Sequence, residues 1–255
     1  MIIKFEIPIS FLNEKRRIHM YLPDDYLQSK QEYPVLYMFD GHNLFYDEDA
    51  TYGTAWHLDQ EILKNHKEML VVGIECSHQG NQRLSEYAPY PFTDEEIGSF
   101  DGWGKQTMEF IIHELKPYID HHFPTKTDRN HTWIGGSSCG GLMALYAGFK
   151  YSFTFSKALV ISPYLVSFQN LMEDLEKTFI HPRTHFYISW GALEGNKRHS
   201  FVQETKKCTE IANVLLKKGS FLQMNVKPNG KHCEEDWQKE SSFFLNFLTH
   251  PVKKD

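Results

Sequence analysis

The tightest constraint on this chain is a serine set between glycines where one structural period gives way to another. Thr132-Trp133-Ile134 is an apolar run that reads as a short buried strand. Beyond it, Leu142, Leu145, Tyr146 and Phe149 recur at i, i+3, i+4 and i+7, the spacing of an amphipathic helix. Between them lies Gly136-x-Ser138-x-Gly140. A strand that turns into a helix so abruptly needs close backbone approach, which residues without Cβ permit. The apex residue is forced into a strained conformation with its side chain pointing outward. It also sits at a helix N-terminus, where free N–H groups and the helix dipole favour developing negative charge. A serine so placed is a candidate nucleophile. The plain alternative is a glycine-rich turn feeding a helix. Ser137 competes in the same turn but has no glycine two residues after it.

The rest of the chain supplies a framework for that turn. Ile3-Phe5-Ile7 and Ile18-Met20-Leu22 alternate around the turn-like Asn13-Glu14-Lys15, which predicts an antiparallel hairpin. Residues 33–39 and 69–75 are apolar runs suited to strands buried on both faces. Residues 157–161, 185–190 and 221–226 read as further strands. Helical patterns fall at about 56–66, 103–121, 199–218 and 234–248. Such alternation predicts one α/β domain over residues 1–255, with a mostly parallel sheet and helices on both faces. The segment 76–100 is too long for a simple connector, and 164–182 is a short excursion that offers only a minimal lid.

Composition narrows the function. The net charge is −6 with no long basic run, which argues against nucleic acid as a partner. No apolar stretch is long enough to span a bilayer, and the N-terminus alternates like a strand instead of carrying a signal peptide, so a cytoplasmic location is expected. Cys76, Cys139, Cys208 and Cys233 are widely spaced, which predicts reduced thiols in place of a disulfide or zinc framework. The close histidine sets, His121-His122 and His181/His185, lack a helical H-E-x-x-H and nearby carboxylates. No metal and no cofactor are expected.

In parallel sheets, sites form at the carboxyl ends of the strands. Four features converge there: the Asp40-Gly41-His42 loop, Ser138, Glu194 and His232. A serine hydroxyl needs a base within reach, and the base needs an orienting group. His232 follows the last strand and is the candidate base. Glu194 follows the penultimate strand, where the order Ser, acid, His requires a carboxylate, with Asp174 in reserve. Negative charge on a substrate carbonyl would need aimed amides. The amide of Cys139, next to the nucleophile, and that of His42, after an earlier strand, are the candidates. Asp40 reads as a brace for that loop.

These residues resemble a known family. Tyr33-Pro34-Val35-Leu36-Tyr37 with Asp40-Gly41-His42-Asn43, Gly135 to Gly141, and Gly230-x-His232-x-Glu234-x-x-Trp237 are similar to the Putative esterase family of α/β-hydrolases. That family includes esterase D, feruloyl and acetyl-xylan esterases, antigen 85 mycolyltransferases and siderophore esterases. The resemblance covers about residues 21–247 and implies the α/β-hydrolase fold. It also implies Ser138 as nucleophile, His232 as base, and the amides of His42 and Cys139 as oxyanion hole. Cys139 stands where methionine is usual, and the family's acid is variable.

The expectation is a serine carboxylesterase acting through an acyl-serine intermediate. Short acyl esters, feruloyl- or acetyl-sugar esters and siderophore trilactones are the candidate substrates, and a homo-oligomer is left open. Trp56, Arg83 and Tyr90 are candidate substrate contacts, with core packing or a salt bridge to Glu86 as their ordinary fates. The rival readings are a catalytically silent hydrolase fold used for binding and a metal-dependent hydrolase built on the histidines.

Overall fold

The N-terminal alternation folds as an antiparallel hairpin, Ile2–Ile9 (β1) against Glu14–Tyr21 (β2), with Asn13 at φ 53° in the turn. The computed structural model describes residues 1–195 and 199–250. Val35–Phe39 (β3) and Leu70–Ile74 (β4) are buried at every position, as continuous apolar runs require. β3 starts two residues later than expected, because Pro34 cannot donate to the ladder; Tyr33 makes only an isolated bridge to Thr125. Phe92–Asp94 (β5) and Gly98–Phe100 (β6) form a small separate hairpin within the long 76–100 segment. Thr132–Ser137 (β7), Lys157–Ile161 (β8), His185–Gly191 (β9) and Phe221–Lys227 (β10) complete the main sheet.

The main sheet has the order β1-β2-β4-β3-β7-β8-β9-β10. It is parallel from β4 to β10, and the hairpin joins antiparallel through β2. This is a mainly parallel sheet of the α/β-hydrolase type.

Helices cover both faces. Leu58–Lys64 (α1) lies on one face, and Gln82–Glu86 (α2) is a short turn of helix in the long segment. Gly104–Phe110 (α3) runs through a wider π turn at Ile111–Leu115 into Lys116–His122 (α4). The expected helix at 103–121 is therefore present but locally unwound just before Pro117, whose missing N–H an α ladder could not use. Cys139–Lys150 (α5), Phe168–Lys177 (α6) and Ser200–Lys217 (α7) follow. The closing helix is split into Glu234–Gln238 (α8) and Ser241–Thr249 (α9).

Two apolar layers result. One packs α3, α4, α5, α6 and α7 on the sheet through residues such as Met108, Leu142, Leu171 and Ile211. The other packs α1 and α9 through Leu58, Ile62, Phe244 and Leu248. α5 departs from the amphipathic expectation: all its residues from Cys139 to Phe149 are buried. A helix apolar all round belongs in the interior, and this one is held at the centre of the fold. No helix among the described residues is long and apolar enough to cross a membrane.

Candidate active site

Ser138 occupies the turn between β7 and α5 at φ 57°, ψ −123°. That conformation is costly for any residue with a Cβ, by about 1–3 kcal/mol. The surroundings impose it. The Ser138 amide donates to Ile161 of β8 at 3.0 Å, and its carbonyl accepts from Leu142 (3.1 Å) and Tyr164 (2.9 Å). A Cβ on Gly136 would meet the Gly140 backbone at 2.7 Å. The glycines that frame the serine in sequence are thus the ones that let strand and helix touch.

The hydroxyl of Ser138 lies 2.9 Å from Nε2 of His232, across 94 residues of sequence. Nδ1 of the same ring lies 3.2 Å from Oε2 of Glu194. With the proton on Nδ1, the imidazole donates to the carboxylate and accepts from the hydroxyl. Glu194 is itself fixed: its other oxygen accepts from the Ser162 hydroxyl (2.7 Å) and from the Gly191 amide. The Trp237 indole donates to the Ser162 hydroxyl at 2.9 Å and packs edge-on to His232, 5.0 Å between centroids. The chain Trp237–Ser162–Glu194–His232–Ser138 therefore holds the His232 imidazole in one tautomer and orientation. The sequence reading did not find Ser162. The only signal was its place at the carboxyl end of β8, where it adopts φ 44°.

Asp174 lies outside this chain. Its carboxylate accepts from Tyr90 (2.7 Å) and pairs with Lys150.

His42 sits in a single turn of tight helix, Gly41–Asn43, after β3. Gly41 lets this loop lie against β4, since a Cβ there would meet the Gly73 carbonyl carbon at 2.3 Å. The amides of His42 and Cys139 have no hydrogen-bond acceptor among the described residues. Asp40 braces the loop, as its position suggested. Its two oxygens receive Nε and Nη2 of Arg83, each at 2.7 Å. Burial pushes the Asp40 carboxyl up, but the Arg83 fork outweighs this and holds it below its ordinary value.

Two clefts meet at His232. One, of 470 Å³, is lined by Phe92, Pro163, Tyr164, Val166 and Phe201, together with Glu194, Glu204 and Lys207. The other, of 760 Å³, reaches Ser138 and is lined by polar groups including Asn43, Thr51, Ser77, Asn81 and Lys231. β5 lines the first cleft together with the loop before α6, so its wall extends beyond the 164–182 excursion alone.

The three expected substrate contacts are corrected in part. Trp56, just before α1, is 2 % exposed and packs on Trp237 of α8 and Phe244 of α9. Tyr90 turns to Asp174 and the Tyr146 ring and borders neither cleft. Arg83 does line the polar cleft, but its guanidinium is engaged by Asp40; the Glu86 carboxylate is paired with Arg16.

The family model described as Putative esterase matches residues 9–244. The chain belongs to this family, and with it to the esterases. It is 27 % identical over 240 residues to YbbA of Bacillus subtilis strain 168, an uncharacterised protein, covering 91 % of each chain. Its fold is similar to that of an IroE-like serine hydrolase from Shewanella oneidensis, with a TM-score of 0.76 at 19 % identity over 97 % of this chain and 78 % of that one. It is likewise similar to a ferulic acid esterase, with a TM-score of 0.70 at 20 % identity over 98 % of each chain.

Proposed function

We propose that the protein is a carboxylic ester hydrolase that works through an acyl-serine intermediate. The observation that carries this reading is the unbroken hydrogen-bonded line from Ser138 through His232 to Glu194. His232 takes the serine proton as Oγ attacks the ester carbonyl, and Glu194 stabilises the imidazolium. The amides of His42 and Cys139 receive the oxyanion. The imidazolium then protonates the departing alcohol, and a water activated by the same ring releases the acid. Cys139 contributes its amide only. Its thiol is buried among Arg83 and Asp40, and burial raises its pKa, which makes it a poor nucleophile.

Small-molecule esters with an acyl or aromatic part and a polar part fit the two clefts. Short acyl, feruloyl- or acetyl-sugar and siderophore-type esters meet that description. Hydrolysis of p-nitrophenyl acetate and butyrate by the purified protein tests the reading, and no turnover on any member of such a panel would contradict it. Glu194→Ala is expected to lower kcat about 10³-fold or more. Asp174→Ala is expected to leave kcat near wild type, because its carboxylate serves Tyr90 and Lys150. The opposite pattern would move the acid role to Asp174. The four cysteines are free, in keeping with a reducing, cytoplasmic setting.

A further inference from the structure

Three different ligand types converge on the floor of the polar cleft. A carboxylate oxygen of Asp40, a ring nitrogen of His42 and the sulfur of Cys76 lie within 4.8 Å of one another, and all three residues are buried. One observation separates this cluster from ordinary packing. His42 is 4 % exposed, its Nε2 is partnered with Thr51 at 2.9 Å, and its buried Nδ1 has no hydrogen-bond partner among the described residues. An orphaned buried nitrogen costs free energy unless something takes its lone pair or its proton. We infer that Asp40, His42 and Cys76 form a binding site for a thiophilic divalent cation of the zinc type, and that its occupation inhibits the enzyme.

The donor set fits that ion. Zinc takes thiolate, imidazole and carboxylate, in tetrahedral sites with ligand atoms about 3.5 Å apart, so the three groups need close in by only about 1 Å. The cleft supplies room for a water in the fourth position. Burial pushes the Cys76 thiol well above its ordinary pKa, so the metal must displace its proton: on binding, the thiol loses that proton to solvent and its sulfur bonds the metal. Arg83 is the obstacle, since its positive charge faces the same carboxylate. Two features offset it. A carboxylate has about four lone-pair sites, of which the Arg83 fork uses two. The neighbouring Glu75 carboxylate adds negative charge beside His42, and Cys76 adds its own once the metal has displaced its proton. Glu75 itself is held by His19 at 2.6 Å and His78 at 3.3 Å, so it remains outside the ligand set.

Inhibition follows from position, and this part rests on the proposed oxyanion role of His42. Asp40 and His42 flank Gly41, which is pressed against the Gly73 backbone. Drawing their side chains onto a metal tilts the His42 amide away from the acyl oxygen.

The test uses the intact protein with Co²⁺ as spectroscopic probe and Zn²⁺ as competitor. One equivalent of Co²⁺ should produce a near-ultraviolet thiolate-to-cobalt band, which Zn²⁺ abolishes. Cys76→Ser should remove the band, and Cys233→Ser, beside His232, should keep it. His42→Gln preserves the amide and should weaken metal binding by more than about tenfold, since even outer-shell partners are worth that much. This second variant keeps the test alive should Cys76→Ser fail to fold. Zn²⁺ should inhibit ester hydrolysis in wild type and Cys233→Ser and much less in Cys76→Ser. The proposal is overturned if no band forms, if the band depends on Cys233 instead of Cys76, or if His42→Gln binds metal as tightly as wild type. The cobalt band needs no catalysis, so an inactive esterase with a normal band would count against the hydrolase reading alone.

Discussion

Ser138→Ala is expected to abolish ester hydrolysis, with kcat down about 10⁴-fold or more and the melting temperature close to wild type. Removing the nucleophile of a serine hydrolase leaves only the contributions of binding and the oxyanion hole. Stability should be untouched because the hydroxyl's hydrogen bond among the described residues goes to His232, itself 37 % exposed and open to water. Circular dichroism and a thermal melt, beside initial rates on p-nitrophenyl butyrate, check both halves. Ser138→Gly should be equally inactive and more stable by about 1 kcal/mol, since glycine accepts φ 57° without strain. A gain in stability on deleting the Ser138 side chain would show that the turn is held in its conformation for chemistry and not for folding.

The largest loss of stability should come from Arg16→Met. Arg16 on β2 reaches Glu86 on α2 at 2.7 Å, and the two side chains are 5 % and 2 % exposed. The second Glu86 oxygen accepts from the Ser77 amide at 3.1 Å. Deleting one partner of a buried pair strands the other charge and costs about 3–5 kcal/mol. For a chain of this length that lowers the melting temperature by about 10 °C or more. The deficit has a signed pH dependence. Burial already raises the Glu86 carboxyl above its ordinary value despite Arg16, and without Arg16 it must rise further. The cost is then absent below the pKa of the unfolded chain, where both states are protonated. It grows as pH climbs through the folded value. The variant should therefore fall further below wild type in alkaline buffer than in mildly acidic buffer. Adding Glu86→Leu should restore much of the loss. This pair ties the long 76–100 segment to the hairpin, so its removal should also loosen the wall of the polar cleft.

What the chain reveals without coordinates is set by range. β3 and β4 are legible because burial on both faces demands an unbroken apolar run, and β7 through its short apolar lead at Trp133-Ile134. Ser138 is legible because its constraint is local: two glycines and a change of period. His232 and Glu194 are legible only through strand order, which fixes the edge of the sheet where each must emerge. Beyond that the signals fail for physical reasons. The Asp40–Arg83 fork joins residues 43 apart, and the Trp237–Ser162 bond joins residues 75 apart; neither has a periodic trace. Trp56 and Tyr90 read as cleft residues because aromatic side chains occur in both linings and cores. Which one a loop aromatic joins depends on the helix packed above it, here α9 over Trp56. The break of the last helix between α8 and α9 leaves no glycine or proline to announce it.

The most direct measurement is the mass of the protein after reaction with a fluorophosphonate, followed by peptide mapping. A single adduct on Ser138, absent in Ser138→Ala and formed far more slowly in His232→Ala, is the expected result. No adduct, or an adduct elsewhere while Ser138→Ala still hydrolyses esters, would contradict the assignment of this serine and imidazole as the reacting pair.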